Sequence, residues 1–205
     1  MYQSVFKRFF DVIISLTIII ILAPLMVFVI ITLAFLNKGT PFFIQERPGK
    51  GEILFRVLKL KTMSDAMDQH GKLLSDSERL TYFGRIIRKT SLDEIPQLIN
   101  VIKGDMSLIG PRPLLVKYMP FYTEEERSRH TVRPGITGLA QINGRNVLEW
   151  ERRLGLDIEY VKNVTFLNDI RITVITIYKI FRSENVVVDP SIVMKDLDEE
   201  RRVFN

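Results

Sequence analysis

The residues best suited to chemistry lie in the stretch Arg85-Ile-Ile-Arg-Lys-Thr-Ser-Leu-Asp-Glu-Ile-Pro-Gln. Asp93 and Glu94 are adjacent carboxylates, and Arg85, Arg88 and Lys89 lie just upstream. Ser91 and Glu94 have capping-box spacing and Gly104 is a stop signal, which predicts a helix over 91–103. A helix start offers free N–H groups and a positive dipole, and both suit a phosphate. A carboxylate there is kept ionised by nearby cations. An ionised carboxylate can attack phosphorus to give an acyl phosphate, and it can equally hold Mg²⁺. The plain alternative is that Glu94 is a cap and Asp93 complements the dipole.

Three further clusters carry charge or fixed backbone. Pro111 and Pro113 flank Arg112 and restrict its guanidinium, a geometry that suits bidentate phosphate binding or a simple surface turn. The segment from Arg133 to Arg145 is rich in glycines and amides, suited to a nucleotide pocket or to a well-formed loop. Lys59 and Lys61 alternate along a β-prone run and share a face, toward phosphate, headgroups or solvent. Phe166 and the Ile-rich run from Ile170 to Phe181 fit a membrane surface and ordinary core equally well.

These residues need elements to hold them. Residues 12–36 form 25 consecutive positions without a charge, long enough to enter or cross a bilayer. Pro24 sits at the midpoint and predicts a break. Two arms of about 12 residues would each reach roughly 18 Å, about half the bilayer depth. Lys7 and Arg8 precede the run, and Lys38, Arg47 and Lys50 follow it. Basic flanks on both sides favour a re-entrant hairpin on the cytoplasmic face over a spanning helix. Residues 41–63 read as strand, turn and strand around Pro48-Gly49-Lys50-Gly51. Residues 64–78 read as a loop. Helices are predicted over 79–89, from Thr123 to His130, from Asn146 to Asn163 and over 168–182. The expected organisation is a re-entrant membrane hairpin over 1–40, a catalytic domain over 41–182 and a loosely ordered acidic tail over 183–205. The fold class is α+β, mostly helical, with a small β-hairpin and interfacial helices.

Composition removes other chemistries. The 205 residues include no cysteine and two histidines, His70 and His130. Disulfides, thiolate metal sites, a thiol nucleophile and multi-histidine metal sites are excluded. Any metal is held by oxygen, as Mg²⁺ or Mn²⁺. Residues 41–153 carry 19 basic and 14 acidic side chains, whereas 154–205 carry 7 and 9. The positive field therefore sits mid-chain, where phosphates or an anionic surface are the expected partners. Aromatic residues rarely interleave with the basic ones, which argues against nucleic acid. Neither βαβ alternation nor a glycine-rich phosphate loop is visible.

Four ordered motifs are QERPG, KLKTM, TSLDEIPQLINVIKGDMSLIGPRPLL and RPGITGLAQINGR. With the apolar N-terminal run, they resemble the bacterial sugar transferases. Within these, the likeness is to the small monotopic polyprenyl-phosphate phosphoglycosyl transferases. The nearest likeness is to the members that open bacterial N-linked glycosylation with phospho-N,N′-diacetylbacillosamine. The resemblance runs to about residue 182 and leaves the tail uncovered. It implies that a UDP-sugar gives its phosphosugar to a polyprenyl phosphate and releases UMP. It implies that Asp93 is the covalent nucleophile, that Glu94 assists, and that Mg²⁺ sits beside Asp93. It also implies a re-entrant break at Pro24 and a plasma-membrane location. Lys59, Arg88 and Arg112 fall in its phosphate-handling region, with Asp157, Arg133 and Arg145 near the site. Two rivals stand beside this: a membrane-surface glycosyltransferase that releases UDP, and a non-catalytic membrane adaptor.

Overall fold

A computed structural model describes residues 2–144, 148–182 and 195–202. Helix α1 (Lys7–Leu36) is one 30-residue element and carries Pro24 inside it. No loop divides the helix at Pro24. Proline withholds one N–H, from the carbonyl of Ile20, and the apolar residues on both sides favour helix. In an apolar medium every further unpaired backbone group is costly, so continuing the helix is cheaper than breaking it.

One stripe of α1 docks on the rest of the chain along nearly its whole length. At the N-terminal end Arg8 donates to the Val101 carbonyl and to the Ile102 carbonyl at 2.7 Å. Asp11 accepts from Ser107 Oγ at 2.7 Å, and Lys7 pairs with Asp169 at 2.6 Å. Further along, Met26, Val29 and Leu33 are buried with Leu60 and Ile87. At the end Asn37 Nδ2 donates to the Lys61 carbonyl at 2.8 Å. With Ser15, Ile18 and Leu22 between them, the positions from Arg8 to Asn37 recur every three or four residues, the period of one helix face. The other faces leave Ile20, Ile21, Phe28 and Phe35 exposed. By length and composition α1 could cross a membrane.

The predicted hairpin is present. Strands β1 (Phe42–Pro48) and β2 (Leu54–Leu60) pair antiparallel, with Phe43 opposite Lys59 and Arg47 opposite Phe55. Residues 64–75 have no regular element, and α2 (Asp76–Arg79) carries a Ser75/Glu78 capping box. Helix α3 (Tyr82–Lys89) starts where Thr81 Oγ1 accepts from Gly84 N. A Cβ at Gly84 would lie 2.0 Å from the Thr62 carbonyl oxygen, so glycine lets α3 close on the end of β2. Helix α4 (Gln97–Lys103) ends at Gly104 with φ +102°, the expected stop. Arg8 caps its last carbonyls, a cation at the negative end of the dipole.

Two strands escape the sequence pattern. β3 (Ser107–Ile109) pairs in parallel with β4 (Gly135–Thr137), after α5 (Glu124–Arg127). A run of three residues is too short to display alternation. A Cβ at Gly135 would lie 2.1 Å from Gly110 N, so the pair depends on a bare backbone there. Next come α6 (Leu139–Asn143), α7 (Trp150–Lys162) and α8 (Phe166–Arg182). The expected cap at Asn146 lies outside the described residues, and α7 starts after Glu149. Ile109, Leu139, Ile142, Leu156, Tyr160 and Ile172 share the core between these elements.

The tail is not loose where it is described. Helix α9 (Leu197–Arg202) buries Leu197 completely against Tyr118, Trp150 and Leu154. Trp150 Nε1 donates to the Lys195 carbonyl at 2.9 Å, and Arg201 grips Glu126 through two hydrogen bonds of 2.6 and 2.7 Å. The single apolar Leu197 among acidic residues supplies the burial.

Candidate active site

The site grows from the link between α3 and α4. Ser91 takes a left-handed conformation at φ +57°, and Leu92–Glu94 form a single 3₁₀ turn. The predicted capping box does not form, because Ser91 is not in a capping conformation and Glu94 is engaged elsewhere. A non-glycine residue at positive φ is strained, and such strain collects at functional sites. Glu94 Oε1 accepts from Lys59 Nζ at 3.0 Å and from Arg112 Nη2 at 2.5 Å, and Arg112 Nη1 reaches Oε2 at 3.5 Å. Burial alone would raise the Glu94 carboxyl. Arg112 and Lys59 outweigh it and hold Glu94 well below the usual carboxylate range.

Asp93 has the opposite environment. It is half-buried, and among the described residues it makes no hydrogen bond or ion pair. Burial and the neighbouring charge of Glu94 push its pKa up to about 6, against the pull of Lys59, Arg88 and Arg112. This corrects the expectation that nearby cations hold it low: two of the three are bound to Glu94. A carboxylate with pKa about 6 is mainly ionised at pH 7 and has its oxygens free. It is thereby an accessible and more basic nucleophile than an ordinary aspartate.

Lys59 comes from β2, Arg88 from α3 and Arg112 from the proline-flanked turn after β3. Arg88 Nε donates to Thr62 Oγ1 at 2.9 Å, which anchors it beside the site. Lys61 is not part of this group; it pairs with Asp65. Asp157 is not at the site surface. It is buried behind it and bound to Arg129 at 2.8 and 3.1 Å. Arg129 also donates to the Arg112 carbonyl at 2.6 Å, so the pair fixes the backbone that carries Arg112. Arg133 is likewise structural, donating to the Gly104 carbonyl at 2.8 Å. Arg145 lies outside the described residues. The sequence offered no signal for Arg129, since its partner is 28 positions away.

A cavity of about 510 Å³ opens between α1 and α8. Its wall is mostly isoleucine, leucine and phenylalanine, including Phe10, Ile14, Ile18, Phe166, Ile170 and Ile177. Ser91 and Glu94 belong to the same wall, so an apolar chamber adjoins the charged site. Phe166 and Ile170 line this chamber and are still exposed, as are Leu167 and Val174 on α8.

The chain matches the bacterial sugar transferase family over residues 2–183 and belongs to it; it is a transferase. Relatives narrow the comparison. The uncharacterized sugar transferase EpsL of Bacillus subtilis is 47% identical over 183 residues, which cover 89% of this chain and 90% of that protein. The UDP-glucose:undecaprenyl-phosphate glucose-1-phosphate transferase of Caulobacter vibrioides is 35% identical, over 87% of this chain and 71% of its own length. The undecaprenyl-phosphate galactose phosphotransferase of Salmonella typhimurium is 37% identical, over 81% of this chain and 38% of its own length. These names carry glucose and galactose; none of the three carries diacetylbacillosamine.

Proposed function

We propose that this enzyme moves a phosphosugar from a UDP-sugar to undecaprenyl phosphate and releases UMP. The observation that carries the reading is the unpartnered Asp93 carboxylate beside a Glu94 already held by Lys59 and Arg112. An Asp93 oxygen attacks the phosphorus that bears the sugar. The bond from that phosphorus to the bridging oxygen breaks, and UMP leaves with the electron pair. An oxygen of the lipid phosphate then attacks the same phosphorus. The Asp93–phosphorus bond breaks, which restores the carboxylate and frees a polyprenyl diphosphosugar. One anhydride replaces another, so the protein needs only to position groups and neutralise charge. Glu94, held ionised by two cations, is a positioning group for Lys59 and Arg112 and is poorly suited to deliver a proton.

Among the described residues no three ligating side chains gather into a metal cage. Asp93 alone still fits Mg²⁺ or Mn²⁺, because Mg²⁺ is commonly held by one or two carboxylates together with substrate phosphates. Bound there, the ion would offset diphosphate charge.

The apolar cavity beside Glu94 supports a lipid acceptor, with its phosphate at the site and its isoprenoid chain between α1 and α8. Both ends of α1 return to the same domain through Arg8 and Asn37. A helix standing across the bilayer would carry Glu94, which shares a cavity wall with Ile14 and Ile18, into hydrocarbon. We therefore read the protein as monotopic, on the cytoplasmic face of a bacterial plasma membrane.

The test incubates detergent-solubilised protein with undecaprenyl phosphate and a panel led by UDP-glucose and UDP-galactose. UMP release, and a phosphosugar adduct on the Asp93 peptide when acceptor is omitted, are the expected results. UDP release would mark transfer of the sugar without its phosphate, and no turnover with any donor would favour a membrane adaptor.

A further inference from the structure

Two arginines near the site have no assigned work. Arg47 lies on the face of the hairpin that carries Lys59, since directly paired residues share a face and Phe43↔Lys59, Gln45↔Val57 and Arg47↔Phe55 are paired. That face turns inward, as Val57 is buried against Val101 and Met106. β1 also packs against the 3₁₀ segment Val116–Phe121, a few residues beyond Arg112. Arg153 lies one helical turn before Asp157 on α7, on the same face. Asp157 binds Arg129, and Arg129 binds the Arg112 carbonyl, which brings Arg153 close to Arg112.

Both guanidiniums are half-buried, and neither has a carboxylate within ion-pair distance among the described residues. Arg47 donates to Gln45 Oε1 at 2.5 Å. Arg153 stacks over the Trp150 ring at 4.3 Å and makes one long bond of 3.4 Å to the Leu148 carbonyl. Its Nε is buried with no hydrogen-bond partner. Asp157, the nearest acid to act on Arg153, already belongs to Arg129. Burial and the charge of Arg112 weaken the hold of both groups on their protons, and Arg47 is pushed down to about 10. Like charges crowded out of water without a counter-charge are unfavourable, and a bound anion removes the conflict. Lys59, Arg88 and Arg112 stand beside Asp93 and Glu94, and Arg47 and Arg153 stand beside Arg112. That surplus of positive charge matches a diphosphate.

We propose that Arg47 and Arg153 join Arg112 in a guanidinium pocket that binds the diphosphate of the nucleotide-sugar donor. This deepens the reading above and rests on it for the donor class. Planar forks suit phosphate oxygens bidentately, and the Trp150 ring and Gln45 hold two of them in place before the ligand arrives. The lipid acceptor also carries a phosphate. The pocket is assigned to the donor because it lies on the hairpin and α7, whereas the apolar cavity lies between α1 and α8.

The test titrates UDP and UMP calorimetrically into full-length, detergent-solubilised wild type, Arg47→Met, Arg153→Met and Arg153→Lys. UDP affinity should fall roughly ten- to a hundredfold in each Met variant, as for loss of a charge-assisted hydrogen bond. Arg153→Lys should recover only part of it, because an ammonium cannot bind bidentately. KM for the UDP-sugar should rise while KM for undecaprenyl phosphate stays put. Arg153→Lys and Arg47→Met leave the stacking face or α7 undisturbed and so guard against misfolding in Arg153→Met, which thermal melting detects. If wild type turns over but both Met variants keep wild-type UDP affinity, or if only the lipid KM moves, the pocket is refuted. If wild type binds UDP and the variants do not, yet no UDP-sugar yields UMP, the pocket stands and the reaction reading fails.

Discussion

Asp157 with Arg129 and Glu94 with Arg112 are both carboxylates gripped by guanidiniums, but their surroundings differ. The Arg129–Asp157 side chains are only 2% exposed each, and every strong partner they have is internal. Glu94 and Arg112 are 16% and 35% exposed, and they adjoin an acid without a partner. In the first group charge is cancelled and the product is a rigid backbone. In the second, cancellation at Glu94 leaves Asp93 raised and free. The two groups are joined at Arg112, whose carbonyl belongs to the buried pair and whose guanidinium belongs to the site.

The largest expected effect that separates them is Asp93→Asn. Turnover should fall by roughly three orders of magnitude or more, as for loss of a nucleophile. The same change should raise thermal stability. Because the folded pKa of Asp93 lies above its ordinary value of 3.8, the fold binds its proton more tightly than the unfolded chain does. Stability from this group is present at low pH and is lost as pH rises from about 4 through about 6. After allowance for partial solvent exposure, the neutral amide should recover about 1–2 kcal/mol at pH 7. Thermal melting of the variant checks this, and an inactive, less stable protein would contradict it.

Asp157→Ala should show the reverse pattern. Leaving Arg129 buried and unpaired costs about 3–5 kcal/mol. Melting should drop sharply, and activity per folded molecule should fall much less than in Asp93→Asn. If the variant melts like wild type, the pair is not the scaffold described here.

Glu94→Gln should be intermediate, with turnover reduced roughly ten- to a hundredfold as Lys59 and Arg112 lose their anchor. It also carries a diagnostic shift. Wild-type kcat/KM should decline on the acid side near pH 6, where Asp93 is protonated. Without the charge of Glu94, the three cations should pull Asp93 down and move that limb to lower pH. An unmoved limb in a pH–rate profile would separate the limb from Asp93.

The smallest effect is topological and silent in activity. The sequence has no cysteine, so single cysteines at residue 3 and within 64–78 are clean probes. Both should resist an impermeant thiol reagent in intact cells and react after lysis. Labelling of residue 3 from outside would mean that α1 spans.

The site was readable from sequence where residue type alone decides. Asp93, Glu94 and Arg112 stood out as paired acids and a proline-fixed cation, Lys59 was singled out only through the family resemblance, and the fold brings the four together. The role of Glu94 was not readable, because capping-box spacing is a local signal and its true partners come from β2 and the turn after β3. Arg129 lay hidden for the same reason: it means nothing until Asp157 is folded against it. The hairpin and α4 were legible through turn residues and Gly104. The three-residue strands β3 and β4, and the tail helix built on Leu197, carry too little pattern to reveal burial.

The docking of α1 has a consequence for handling the enzyme. Removing residues 1–40 to obtain a soluble fragment would uncover Leu60 and Ile87, delete the Arg8 cap from α4 and strip Asp11 from Ser107. The membrane segment is therefore a wall of the catalytic domain and cannot be treated as a detachable leash. Surfactants chosen for purification must coat the outer face of α1 without prising its inner face away. The same coupling ties the integrity of the site to the packing of α1, so that any surface which draws the inner face of the helix away also loosens the hairpin and α4.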